Sequence, residues 1–171
     1  MYVFSSDKLT EQIKNKIFKL KNSHYKFSLK KQRLWFQNNV APKDKHILLF
    51  KSHDLIGYNC LRIKKALIHY YKKKNKLEYL YLFDTLILNK NYRGLGLSEM
   101  IMKKSDYLIN KQFGLSILIC LKKMIKYYEN FDWHLLSKKQ IQFANASKQS
   151  KKIMIRNCNQ NLKNFKKIEI L

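Results

Sequence analysis

Apolar residues recur at Leu9, Ile13, Ile17 and Leu20 among polar ones, the spacing of one helical face, and predict a first helix over Lys8 to Leu20. The next apolar set, Leu29, Trp35, Phe36 and Val40 in "SLKKQRLWFQNNV", precedes the chain's single proline, Pro42, and reads as a second helix ending in a loop. The pattern then changes. "KHILLFKSHDLIGYNCLRIKK" holds two short apolar runs split by Ser52, His53 and Asp54, the pattern of a hairpin with β-favouring arms. After the lysine-rich turn "YKKKNK", the run "LEYLYLFDTLIL" has the length and aromatic content of a long buried strand. Leu97, Met100, Ile101 and Leu108 share one helical face, which predicts a helix from about Gly96 to Asn110. "FGLSILIC" (Phe113 to Cys120) reads as a buried strand and "LKKMIKYYENFDWHLL" as a helix. "KKIMIRN" and "FKKIEIL" read as two final strands joined by a polar turn. The order of elements predicts a mixed α/β chain, and 171 residues without a low-complexity linker or internal repeat predict one domain.

No apolar stretch approaches the ~18 residues a membrane span needs, so no membrane association is expected. "MYVFSSDKLTEQ" lacks a basic start followed by an apolar segment, which points to a cytoplasmic protein. Cys60, Cys120 and Cys158 are odd in number and far apart, as reduced thiols would be. The five histidines are scattered without paired ligand spacing, so no metal is expected. The net charge of +25 raises the possibility of nucleic acid. Against it, only Arg33, Arg62, Arg93 and Arg156 among the 36 basic residues are arginines. Lysine lacks the planar fork that reads guanine and phosphate bidentately, and the abundant Lys, Asn, Ile, Tyr and Phe fit an AT-rich coding sequence. The charge therefore reads as compositional, with attraction for anionic ligands as its consequence.

Two of the four glycines, Gly94 and Gly96, sit in "NYRGLGLSEM", between the long strand and the following helix. A strand that feeds a glycine loop opening a helix points backbone N–H groups and the positive end of the helix dipole at one spot. An anion suits that spot, above all a phosphate, and glycine lets it approach the backbone. Neither a Walker loop nor the dinucleotide fingerprint G-x-G-x-x-G is present, because no Gly-Lys-Ser/Thr follows and Met100 stands where a small residue is needed.

"YRGLGLS" is similar to the R/Q-x-x-G-x-G/A signature of the GNAT superfamily of N-acetyltransferases, with Arg93 first, Gly96 fourth and Ser98 in the closing small position. "YYENFDW" resembles the family's Y-E-K-x-G-F-like segment through Tyr128, Glu129 and Asn130, while Asp132 replaces the usual glycine and Trp133 the phenylalanine. Leu121 stands where many members have a cofactor-binding asparagine. The resemblance covers roughly Ile47 to Trp133. It implies one GNAT-like domain over residues 1–171, with a mixed central sheet of about six to seven strands flanked by helices. It also implies acetyl-coenzyme A as co-substrate. The pyrophosphate would be held by Arg93, Gly94, Leu95, Gly96, Leu97 and Ser98, and the pantetheine arm would lie along the backbone of Leu86 and Leu88.

Acetyl transfer from a thioester to an amine needs a neutral amine, a stabilised oxyanion and a proton for the departing thiolate, with no covalent enzyme intermediate. The resemblance assigns the proton to Tyr128. Asp84, alone in an apolar strand, reads either as the general base or as half of an ion pair with a lysine. Cys120 reads as a buried thiol. Trp35, Phe36, Tyr58 and Trp133 are the candidates for acceptor contact or, equally, for the core. The leading expectation is transfer to a primary amine of a small molecule, with an anionic carrier for that amine as one form of it, by a monomer or homodimer. A relative acting on protein amines or on an acyl-carrier protein, and a non-catalytic basic nucleic-acid-binding protein, are the alternatives.

Overall fold

The computed structural model describes residues 1–71, 74–143, 152–157 and 165–171. The chain forms two compact units, residues 1–62 with 84–106 and residues 63–83 with 107–171. Both draw on two long strands, β3 (Asp54–Tyr70) and β4 (Lys76–Leu88).

The first unit begins with β1 (Tyr2–Ser5), too short for its periodicity to be read from sequence, which pairs antiparallel with β2 (Lys45–Lys51). β2 pairs antiparallel with β3 from Lys45↔Leu61 to Lys51↔Asp54, with an irregularity between Leu49 and Phe50. Helix α1 (Glu11–Tyr25) starts where the Thr10 hydroxyl accepts from the Ile13 N–H, and it stops at Lys26, which turns left-handed. Helix α2 (Leu29–Asn39) starts in the same way at Ser28, which accepts from Lys31. Their apolar faces bury Ile17, Phe18, Leu20 and Phe36 against Leu48, Tyr58 and Ile87 of the strands. Burial of this set, at roughly 1.5–3 kcal/mol per large apolar side chain, is what holds the helices down. Helix α3 (Leu97–Gln112) follows the glycine loop. Its buried stripe is Ile101, Ser105 and Ile109 with Met102, whereas Met100, expected on the inner face, is exposed. Gly57 of β3 lies under Ile101, where a Cβ would come within 2.8 Å of the Ile101 Cδ1 atom.

In the second unit, β4 runs parallel to β5 (Leu115–Cys120) over Tyr81↔Ser116 to Phe83↔Leu118. β5 pairs antiparallel with β8 (Lys152–Asn157), which also takes the two-residue β6 (His134–Leu135). β9 (Phe165–Ile170) is antiparallel to the end of β3 and parallel to β7 (Ile141–Phe143). The core here is aliphatic: Ala66, Ile68, Leu80, Ile117, Ile155 and Ile168. β5 is buried along nearly its whole length, as its largely apolar sequence suggests, and its one polar residue, Ser116, donates its hydroxyl to the Tyr81 carbonyl.

The mixed α/β class is as the sequence suggested, with nine strands and four α-helices among the described residues. The strands beyond the expected six to seven are the short β1, β6 and β7. One expected helix is much reduced. α4 covers only Ile125–Glu129, after a 3₁₀ turn at Lys122–Met124. The chain then tightens, with the Phe131 N–H on the Tyr128 carbonyl and Asp132 at φ 58°, and this delivers Trp133 to the core instead of continuing the helix. Lys72 and Lys73 of the lysine-rich turn, "ANASKQSK" (144–151), Cys158 and the turn between the last two strands lie outside the described residues. No helix among the described residues is long and apolar enough to cross a membrane.

Candidate active site

The glycine loop sits at the head of the 16-residue α3, which contributes the first-turn N–H groups that no preceding helical carbonyl can satisfy. Gly94 adopts φ 79° and Gly96 φ 70°, the left-handed region where side-chained residues are strained. A Cβ built on either would meet nothing within 4 Å, so the backbone and not a protein neighbour demands glycine there. The space beside the loop is open. Arg93 turns back, its Nε donating to the Leu88 carbonyl at 3.4 Å and its Nη2 lying 3.3 Å from the His24 ring. Asn89 fixes the approach, its side chain accepting from Asn91 and its N–H donating to Ile56 at 2.8 Å. Gly94, Leu95 and Gly96 are exposed, while Leu97 and Ser98 are half-buried. All six predicted loop residues are therefore brought together at one helix end.

Leu86 and Leu88 lie half-buried in β4, just before the loop. Between them and Asp84 stands a residue that the sequence did not flag. Thr85 has φ 63° inside the strand, an outlying conformation for a β-branched residue that costs of order 1–3 kcal/mol unless its surroundings impose it. The surroundings are visible. The Thr85 hydroxyl donates to Asp84 Oδ1 at 2.9 Å, and Arg62 Nη1 donates to Asp84 Oδ2 at 3.0 Å. Asp84 is thus in an ion pair, and its partner is an arginine rather than one of the lysines.

Around that pair the first unit collects further charge. Arg62 and Lys21 are both buried, at 8% and 4% exposure. The Lys21 Nζ lies 3.7 Å over the Trp35 ring, and the Arg62 guanidinium carbon is 5.3 Å from the same ring centroid. Burial pushes the Lys21 ammonium below the ordinary lysine range, and the Asp84 carboxylate partly restores it. Two cations and one carboxylate share this cluster. Of the four aromatic candidates, Trp35 alone is only half-buried and lies in it. Phe36 packs in the core against Phe18, and Tyr58 is 1% exposed.

In the second unit Tyr128 and Trp133 come together. Both rings pack edge-on against Phe83, at centroid distances of 6.1 and 5.5 Å, which fixes the Tyr128 ring. Trp133 is 1% exposed, a core position. The Cys60 and Cys120 thiols are buried, and that burial pushes both upward in pKa, away from nucleophilic thiolate.

No protein-family profile matches the sequence, and neither does any curated protein. Solved structures do match. The GNAT-family N-acetyltransferase YhbS from Escherichia coli, in complex with coenzyme A, aligns with TM-score 0.68 at 11% identity, covering 99% of this chain and 89% of that one. An acyl-CoA N-acyltransferase from Pseudomonas aeruginosa aligns with TM-score 0.65 at 10% identity over 91% of this chain and 97% of that one. An aminoglycoside 6'-N-acetyltransferase complexed with coenzyme A aligns with TM-score 0.63 at 9% identity, over 94% and 99%. At such identities the likeness is one of architecture, and the architecture is the GNAT fold.

Proposed function

We propose that the protein is a GNAT-type N-acetyltransferase that moves an acetyl group from acetyl-coenzyme A to a primary amine of a small molecule by direct attack. The observation that carries this reading is the loop itself. Gly94 and Gly96 are held in left-handed turns with open space where side chains would stand, at the head of a long helix. Such a cradle fits a pyrophosphate. When bound, acetyl-coenzyme A supplies the activated thioester. The loop from Arg93 to Ser98 would hold its phosphates, chiefly through the N–H groups from Gly94 onward because the Arg93 N–H donates to the Lys90 carbonyl, and the pantetheine arm would run along the backbone at Leu86 and Leu88. Tyr128 keeps the general-acid role that the resemblance implies. We assign the proton of the attacking amine to Asp84, whose carboxylate is held by Arg62 and by the Thr85 hydroxyl.

For the acceptor, the cluster of Lys21, Arg62 and Trp35 favours an amine that also carries an anionic group, because two buried cations face one carboxylate. The +25 net charge acts in the same direction, since exposed like charges repel within a Debye length of ~8 Å at physiological salt. One similar structure acts on aminoglycosides, but polycations of that kind suit this field poorly. Trp35 is the aromatic face offered to the acceptor, with Phe36 and Tyr58 supporting it from the core and Trp133 packed in the second unit.

The test is calorimetric titration of acetyl-coenzyme A into wild-type and Gly96→Val protein. A valine at φ 70° is strained, and its branches would occupy the open side of the loop. Binding to the wild type and loss of at least about tenfold in affinity, ~1.4 kcal/mol, in a folded variant is the expected result. Equal affinities would remove the loop from the cofactor site.

A further inference from the structure

The strained peptide at Asp84–Thr85 is held from behind by a buried hydrogen-bond chain that no step above uses. The Asn59 Nδ2 of β3 donates to the Asp84 carbonyl at 3.3 Å. The Asn59 Oδ1 in turn accepts from the Ser105 hydroxyl of α3 at 3.2 Å, and that hydroxyl is also within 2.8 Å of the Ile101 carbonyl one helical turn back. Asn59 and Ser105 are both 0% exposed. The chain therefore links the helix that carries the glycine loop to the one non-glycine residue of β4 in the left-handed region.

We propose that Asn59 and Ser105 are positioning residues for the acetyl group: they fix the Asp84–Thr85 peptide so that the β4 backbone beyond it presents its polar groups to the acetyl carbonyl. Several observations lead there. A left-handed threonine in a strand persists only where neighbours over-determine it, and here the main chain is gripped by Asn59 while the adjacent carboxylate is clamped by Arg62 and by the Thr85 hydroxyl. A buried amide and hydroxyl are hazardous in a core unless satisfied, and apolar residues of similar volume would pack without that hazard. At its β4 end the network meets the Asp84 carbonyl of the strained peptide, and at its α3 end it is anchored on the Ile101 carbonyl. Gly57, two residues before Asn59, lets α3 lie close enough for Ser105 to reach.

The inference rests on the acetyltransferase reading, and the experiment separates the two. Titration calorimetry is run with coenzyme A and with acetyl-coenzyme A, so that the ratio of the two affinities reports the acetyl contact alone. Wild-type protein is expected to bind the acetylated form more tightly. Asn59→Leu and Ser105→Ala should each lower acetyl-coenzyme A affinity about five- to tenfold, the worth of one well-placed hydrogen bond. Coenzyme A affinity should stay within about twofold, since the phosphates bind elsewhere on the loop. Ser105→Thr, which keeps the hydroxyl, should retain the wild-type ratio. If Asn59→Leu does not fold, Ser105→Ala carries the comparison alone. An unchanged ratio in a folded variant overturns the proposal, as does an equal loss for both ligands, which would mark a purely structural role. A wild type that binds both ligands without preferring the acetylated one also overturns it while leaving the acetyltransferase reading intact. Failure to bind either ligand would overturn that reading and the proposal with it.

Discussion

His46 shows how one buried residue sets a pH limit on the fold. Its ring stacks between Phe36 and Tyr58, Nε2 lies 2.7 Å from the Ser6 hydroxyl, and Nδ1 lies 2.9 Å from the Tyr58 hydroxyl. Burial, with smaller contributions from the Lys21 and Lys14 charges, lowers its pKa from 6.5 to about 4. A lowered folded-state pKa means that the native state holds the neutral ring. The stabilisation is therefore complete above pH ~6.5, the unfolded value, and is lost as pH falls toward 4. A shift of that size corresponds to about 3 kcal/mol. Urea denaturation at pH 7.5 and pH 4.5 should show the wild type losing stability, and His46→Phe losing about 2.5 kcal/mol less over the same interval, since pH 4.5 still lies above the folded-state value. An identical pH dependence for the two proteins would mean that His46 is not the titrating group. Such a residue was not legible in the sequence. His46 was one of five scattered histidines, and its meaning depends on Ser6 and Tyr58, which reach it from separate strand and turn segments.

At the scale of elements, the pattern of apolar positions was enough to place α1, α2, the β2–β3 hairpin, β4, α3 and β5, because each carries either a periodic apolar face or an apolar run long enough to read. The glycine loop was legible for a related reason: a chain with four glycines places two in one strand-to-helix turn. Thr85 was not legible, since nothing in an apolar strand announces a left-handed residue whose cause is tertiary. Ser105 was missed because the expected inner face of α3, Leu97, Met100, Ile101 and Leu108, shares only Ile101 with the buried stripe of Ile101, Ser105 and Ile109, which contains a polar residue. The seating of that stripe depends on Gly57. An alanine Cβ there would lie 2.8 Å from Ile101 Cδ1, 3.1 Å from Leu88 Cδ1 and 3.2 Å from Leu49 Cβ. The Leu88 methyl group can shift, but Leu49 Cβ is tied to its own strand, and the fully buried Ile101 has no solvent to move into. Overpacking of this kind costs about 1–3 kcal/mol, against about 0.4–1 kcal/mol gained by reducing the freedom of the unfolded chain. Gly57→Ala should therefore be destabilised by about 1 kcal/mol net, read as a lower urea midpoint with an unchanged slope. A neutral or stabilising substitution would show that α3 is seated more loosely than these distances require.

At the scale of the whole molecule, the charge and the site make different claims on anions, and salt separates them. The +25 net charge comes overwhelmingly from lysines, whose compact ammonium groups attract phosphate without reading bases. The proposed cofactor site instead uses oriented backbone N–H groups at one helix end, where geometry selects the ligand. Binding to duplex DNA should therefore be of the kind driven by counterion release. Fluorescence anisotropy with AT-rich and GC-rich duplexes of equal length should give similar affinities at low salt. Both should weaken together by about 10³-fold or more between 50 and 200 mM salt if six or more phosphates are neutralised. Acetyl-coenzyme A offers far fewer charges and a shaped cradle, so its affinity should fall much less over the same range. Sequence-selective DNA binding that persists at physiological salt would reverse this assignment. The arginine-poor surface would then be a dedicated nucleic-acid interface, and the glycine loop would need another explanation.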